Sequence, residues 1–171
     1  MSAVSIDAER TTLLSHLTAQ RNHVLDTVDG LTDDELRRPL LPSGWTCLGL
    51  IRHLTLDGER FWFRGPVAAD PVVIEAVENG PDDGWQVAAS VPADAVLEEY
   101  RQEIERSNEI VAGTALDSPP SWWPASLFDG WRVDNLREII LHMIAETACH
   151  AGHLDAAREL LDGRQWLVLT G

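Results

Sequence analysis

Apolar residues recur every three to four positions along almost the whole chain, and no stretch alternates convincingly with the period of two that a half-buried strand needs. That rhythm confines the fold to packed helices. Leu13, Leu14, Leu17, Val24, Leu25 and Val28 carry it over residues 7–29, and Gly30 supplies a left-handed stop. Thr32 and Glu35 stand three apart as a capping box, which predicts a short helix over 33–38 closed by Pro39. A second long helix is expected from an N-cap at Thr46 to about Arg64, ended by Gly65-Pro66. Pro92 opens a third, which Val96, Leu97, Tyr100, Ile104, Ile110 and Val111 carry to Gly113. A fourth is expected from a cap at Asp134 to about Leu161, with Gly163 as its stop.

Residues 68–90 and 117–130 read as irregular connections, the first with at most a short helical turn. The closing RQWLVLTG reads as an extended segment packed back on the helices. Neither a repeat nor a linker interrupts the pattern. The expectation is an all-α protein, a four-helix bundle with long loops, formed as one domain over residues 1–171.

Charge narrows the partners. The net charge is −15, and the thirteen basic residues are all arginine. So acidic a surface repels nucleic-acid phosphate and anionic lipid, so neither is expected as a partner. Without lysine, Schiff-base catalysis and the lysine-bearing phosphate loop are both ruled out. Cys47 and Cys149 are too few for a disulfide scaffold, and the first ten residues carry no apolar run of a signal peptide. No stretch reaches the roughly 18 apolar residues of a membrane span. A cytoplasmic location is the expectation.

The chemistry-bearing residues gather on the fourth helix. At about 100° per residue, His142, Glu146, His150 and His153 fall within an arc of roughly 80°. Ile139 and Met143 share that arc or its edge, so these polar groups lie on or beside the core-facing stripe, where an unpaired ionisable group is costly. A metal ion is one way to satisfy them. Groups four apart are separated by about 6 Å of rise and can converge on one ion, whereas groups eight apart, at about 12 Å, cannot do so comfortably. His142 with Glu146, Glu146 with His150, and His150 with His153 all remain open. His53, flanked by Leu50, Ile51 and Leu54 on the second helix, offers a further ligand. Three His and carboxylate ligands with a free position are the pattern of a catalytic zinc site. The plainer reading, histidines satisfied within a core, is about as common for such a cluster, and it suffices for His16 and His23.

Two segments, LIRHLTLDGERFW and LREIILHMIAETACHAGHLDAARELLDG, resemble the DinB/YfiT-like superfamily of metalloenzymes, and more closely its mini-circle protein branch. The resemblance implies a four-helix bundle in up-down-down-up order, a homodimer, and one divalent ion between helices. It assigns one ligand to His53, in the HL element of helix two. The others are a four-spaced pair ending at the histidine before a small-Gly dipeptide, here Glu146 and His150 before Ala151-Gly152. Glutamate replaces the commoner histidine at the first of these, which matches the mycothiol-dependent maleylpyruvate isomerase branch. Zinc remains the leading ion; nickel, and harder ions such as manganese and iron, also suit a carboxylate. His153 stands where many relatives carry glutamine, so it and His142 are expected to support the ligands or to serve as alternatives.

Characterised relatives use mycothiol or bacillithiol, which implies a thiol S-transferase acting on a low-molecular-weight thiol and an electrophile. A divalent cation lowers a thiol's pKa and so supplies thiolate. Hydrolysis or isomerisation at the same ion, and a non-catalytic metal- or ligand-binding bundle, are the competing readings. Trp45, Trp62 and Arg52 are candidates to line a substrate pocket, as are Trp122, Trp123, Trp131 and Arg60. Each tryptophan serves equally to cover a bundle end or a dimer contact. Cys47, at the start of helix two, is a minor candidate for a lowered pKa; Cys149 points away from His150 and reads as packing.

Overall fold

The computed structural model describes residues 3–80 and 83–166, and among these every regular element is helical. Helix α1 spans Ala3–Val28 and ends at Gly30, whose φ of 77° is the expected left-handed stop. The nearly buried Arg158 donates to the carbonyls of Thr27 (2.9 Å) and Asp29 (2.7 Å), placing a cation on that helix end. Helix α2, Asp33–Leu36, carries the full capping box: Thr32 Oγ1 accepts from the Glu35 amide, and Glu35 accepts from the Thr32 amide. Helix α3 covers Cys47–His53, and Thr46 Oγ1 caps the Gly49 amide at 3.0 Å.

The chain departs here from the single α-helix read from the sequence. From Leu54 to Val67 it continues as a π-helix, and Pro66 lies inside that stretch rather than after it. The proline is tolerated because the turn closes with longer bonds and a neighbouring loop. The Ala68 amide reaches back to Phe63 and the Asp70 amide to Arg64, while the Ser121 amide donates to the Pro66 carbonyl at 2.7 Å. Residues 71–78 form a further helix, α4 (Pro71–Glu78), where an irregular connection was expected. Asp70 Oδ1 caps it through the Val72 amide, and Pro71 sits in its first turn. Helix α5 spans Ala93–Gly113 and α6 spans Leu136–Asp162. The cap of α6 is Asn135, one residue past the expected Asp134, because Asn135 Oδ1 meets the Glu138 amide while Glu138 accepts from the Asp134 amide. The expected extended tail falls largely on residues 167–171, outside the described residues; before it, Trp166 stacks on His23 at 4.3 Å.

Helix α1 packs along α6, and the π-helical stretch packs along α5 while also touching α4 and α6. Two apolar clusters result. One joins Val24, Leu48, Ile51, Tyr100 and Leu154; the other joins Leu17, Phe63, Val111, Ile140 and Met143. Each such fully buried side chain contributes about 1.5–3 kcal/mol. Between the clusters every long element places a polar residue: Arg21, Glu59, Glu103 with Ser107, and Thr147, all essentially buried. Arg21 forks onto Glu59 at 2.7 and 2.6 Å and reaches Asn108 at 2.9 Å. The belt fixes the π-helical stretch against α1, and so fixes the position of His53 at its start.

Candidate metal centre

His53 is the last residue of α3, where α-helix gives way to π-helix, and Glu146 and His150 stand one turn apart on α6. Their donor atoms all lie within 4.8 Å of one another. Both imidazoles turn the same nitrogen to one carboxylate oxygen: Glu146 Oε1 is 3.6 Å from His53 Nε2 and 3.0 Å from His150 Nε2. The outer nitrogens are engaged elsewhere. His53 Nδ1 donates to Asp57 Oδ2 at 2.8 Å, and His150 Nδ1 lies 3.4 Å from His153 Nδ1. With a cation bound, the Asp57 contact would keep the proton on Nδ1 and leave the His53 Nε2 lone pair for the ion.

The electrostatics follow from this closeness. Burial opposes the charge on His53, but the hydrogen bonds and charges of Asp57 and Glu146 overcome it and push its pKa up to about 9. The hydrogen bonds of His150 and His53 hold the Glu146 carboxyl well below its usual range. Without a cation, His53 is therefore held as an imidazolium, with one ring N–H toward Asp57 and the other toward Glu146. Two imidazole nitrogens and one carboxylate oxygen at this spacing, with a carboxylate behind one imidazole, fit the donor set of a divalent zinc-like ion.

Trp85 belongs to the same centre, although no motif singled it out. Its ring stacks on His53 at 4.2 Å, nearly parallel, and meets His150 edge-on at 5.7 Å. Two glycines allow the approach. A Cβ on Gly49 would stand 2.3 Å from the Trp85 carbonyl oxygen, and one on Gly84 would stand 2.3 Å from Asp57 Oδ2. The only signal in the sequence is a lone tryptophan in a Gly, Pro and Asp-rich connection. Its placement depends on chain reversal, which local pattern does not encode.

The remaining expected residues divide. His142 is not among the converging donors, and its ring lies 4.4 Å from Trp62 and 5.6 Å from Trp131. Burial lowers its pKa. It lines a cavity of about 520 Å³ together with Trp62, Arg60, Asp57 and Glu146. Trp45 and Arg52 are not part of that lining; Trp45 lies instead 6.3 Å from His153. Trp122 packs on Gly65, while Trp123, Trp131 and Phe128 form an aromatic group around Trp62. Cys47 is buried and its thiol is pushed up to about 11 by desolvation, the reverse of a helix-end activation, and Cys149 is exposed. His23 pairs with Asp155 at 2.8 Å and is not among the converging donors.

An all-helical chain that converges imidazole, carboxylate and imidazole from two helices beside an apolar cavity has the makeup of a DinB-like protein. The family description Mycothiol-S-transferase matches residues 12–163, and the chain belongs to this family, which is DinB/YfiT-like. Neither a curated protein nor a solved structure matches it. Membership implies a small-molecule thiol as substrate. No helix among the described residues is long and apolar enough to cross a membrane.

Proposed function

We propose that His53, Glu146 and His150 hold one divalent cation and that the protein transfers mycothiol, or a similar small thiol, to an electrophilic carbon. The observation that carries this reading is the convergence of both Nε2 atoms on Glu146 Oε1 in a member of the mycothiol-S-transferase family. Zinc is the leading ion, because two imidazoles and one carboxylate with a free position are its catalytic donor set; nickel, manganese and iron fit the same atoms. The same reading includes an up-down-down-up four-helix bundle, one domain, a homodimer and a cytoplasmic location.

A cation held there lowers the pKa of a thiol that reaches it. The chain's own residues do the rest. Asp57 and His153 orient the two imidazoles through their outer nitrogens. Trp85 shields His53 from water on one face. As the sulfur–carbon bond forms, the acceptor's leaving group departs with its bonding pair, and the thiol proton is released to solvent.

Purified protein supplied with zinc, mycothiol and a halogenated arene is expected to form the thioether and release halide, with activity lost on chelation and restored by the ion. His53→Ala is expected to lose both the ion and the turnover. Tight thiol binding without conjugate would replace transfer by sequestration; full turnover by metal-free protein would refute the cation's role.

A further inference from the structure

The cavity beside the centre has walls that select its occupant. Val73, Ala76 and Val77 of α4, Phe61 and Trp62 of the π-helical stretch, and Phe128 supply apolar lining. Asp57, His142 and Glu146 add polar groups to the lining. Two arginines also line it, and they are the obvious anchors for an anionic ligand. Both are already engaged. Arg60 donates to Glu99 at 2.7 Å and to Glu103 at 2.9 and 3.1 Å; Arg64 donates to Asp70 at 2.7 and 2.9 Å and to Glu103 at 3.2 Å. Glu103 is almost fully buried, so it holds both guanidiniums against the protein. Asp57 and Glu146 thus add two carboxylates to a lining whose two guanidiniums are already paired with Asp70, Glu99 and Glu103. A carboxylate entering this space finds no free donor fork, and only a cation at the centre would offer it a partner.

We infer that this cavity is the binding site of the acceptor, and that the acceptor is an uncharged, largely apolar molecule of aromatic size whose reactive carbon is presented at the His142–Glu146 end. The inference rests on the thiol-transfer reading for the word acceptor; the selection for an uncharged ring stands on the walls alone. A polar, hydroxyl-rich thiol has few partners among these side chains, so it approaches the centre from another side. Among the described residues no side chain hydrogen-bonds to the His142 ring, which leaves it able to donate to, or accept from, a single polar substituent on the bound ring. The cavity's volume of about 520 Å³ is within the range of small-molecule sites.

The test uses 1-nitronaphthalene and 1-naphthoate, one ring system with and without charge. Binding is compared on the full chain without added metal, where a carboxylate cannot gain a zinc ligand bond, and is read by calorimetry and by quenching of tryptophan fluorescence. The neutral ring is expected to bind on the order of tenfold or more tightly than the carboxylate. Val77→Trp, which fills the cavity, is expected to weaken it by a similar factor; Ala76→Trp, on a more exposed turn, is the second variant should the first not fold. In conjugation assays the same substitutions are expected to raise the KM of a neutral arene while leaving the KM of the thiol and the zinc content unchanged. Equal binding of naphthoate, unchanged affinity in both variants, or a rise in the thiol's KM instead would overturn the assignment. If wild-type protein forms no conjugate, the transfer reading fails, and the binding arm alone decides the cavity.

Discussion

Removing the Glu59 carboxylate is expected to be the most damaging single change away from the candidate centre. Arg21 and Glu59 are 2% and 1% exposed and joined by two bonds of 2.7 and 2.6 Å. In Glu59→Ala the guanidinium stays buried between two apolar clusters with Asn108 as its remaining side-chain hydrogen-bond partner. Breaking a buried pair from one side costs about 3–5 kcal/mol, because the surviving charge cannot reach water. For a chain of this size that corresponds to a melting temperature lower by roughly 6–20 °C. The double variant Arg21→Met with Glu59→Leu removes both charges and is expected to recover most of the loss. Urea unfolding followed by circular dichroism measures all three proteins. A loss below about 1 kcal/mol for Glu59→Ala would refute the reasoning, since the pair would then not be desolvated. A double variant as unstable as the single one would show that shape, not charge, holds the belt together.

Four further outcomes follow from the same geometry. Asp57→Asn weakens the carboxylate behind His53 and is expected to reduce zinc affinity by about 10–100-fold in competition with a chromophoric chelator; unchanged affinity would mean that Asp57 does not orient the ring. Gly49→Ala drives a Cβ into the Trp85 carbonyl, a backbone atom that cannot rotate aside, so the Trp85 ring is expected to leave His53, seen as a shift of the His53 ring signals by NMR. Cys149 is expected to react rapidly with a thiol reagent at pH 8 while Cys47 reacts only on unfolding. Because burial pushes Cys47 up to about 11 from an ordinary value near 9, the folded chain keeps a proton that the unfolded chain loses between those values. Its contribution to stability is thus full below about pH 9 and is lost as pH rises toward 11, and Cys47→Ala is expected to flatten that decline.

Several helix starts and stops were legible from single residues, although the Asp70 cap of α4 was missed and that of α6 was placed one residue early. Thr32 with Glu35, Thr46, Gly30 and Gly163 act as their residue types require. The four-residue spacing on α6 narrowed the donors to three pairs, but an arc of helix does not say which neighbour each residue will meet. His142 shares the arc of Glu146 and His150, yet one turn earlier on α6 it faces Trp62 and the cavity. The π-helical stretch was beyond reach because LTLDGERFW satisfies an α-period well enough, and the wider turn is set by packing against α5 and by the bond from Ser121 to Pro66. Helix α4 was obscured by its β-branched VVIEAV, which weakens helix propensity although Asp70 and Pro71 open it correctly. Trp85 reaches His53 only through chain reversal, so no local pattern marks it.

Diffraction from zinc-supplemented crystals, recorded on both sides of the zinc absorption edge, bears most directly on the three proposed ligands. One anomalous peak is expected about 2.0–2.2 Å from His53 Nε2, His150 Nε2 and a Glu146 oxygen. A peak elsewhere, or none with the metal in excess, would contradict the assignment of these side chains as the centre of the protein's chemistry.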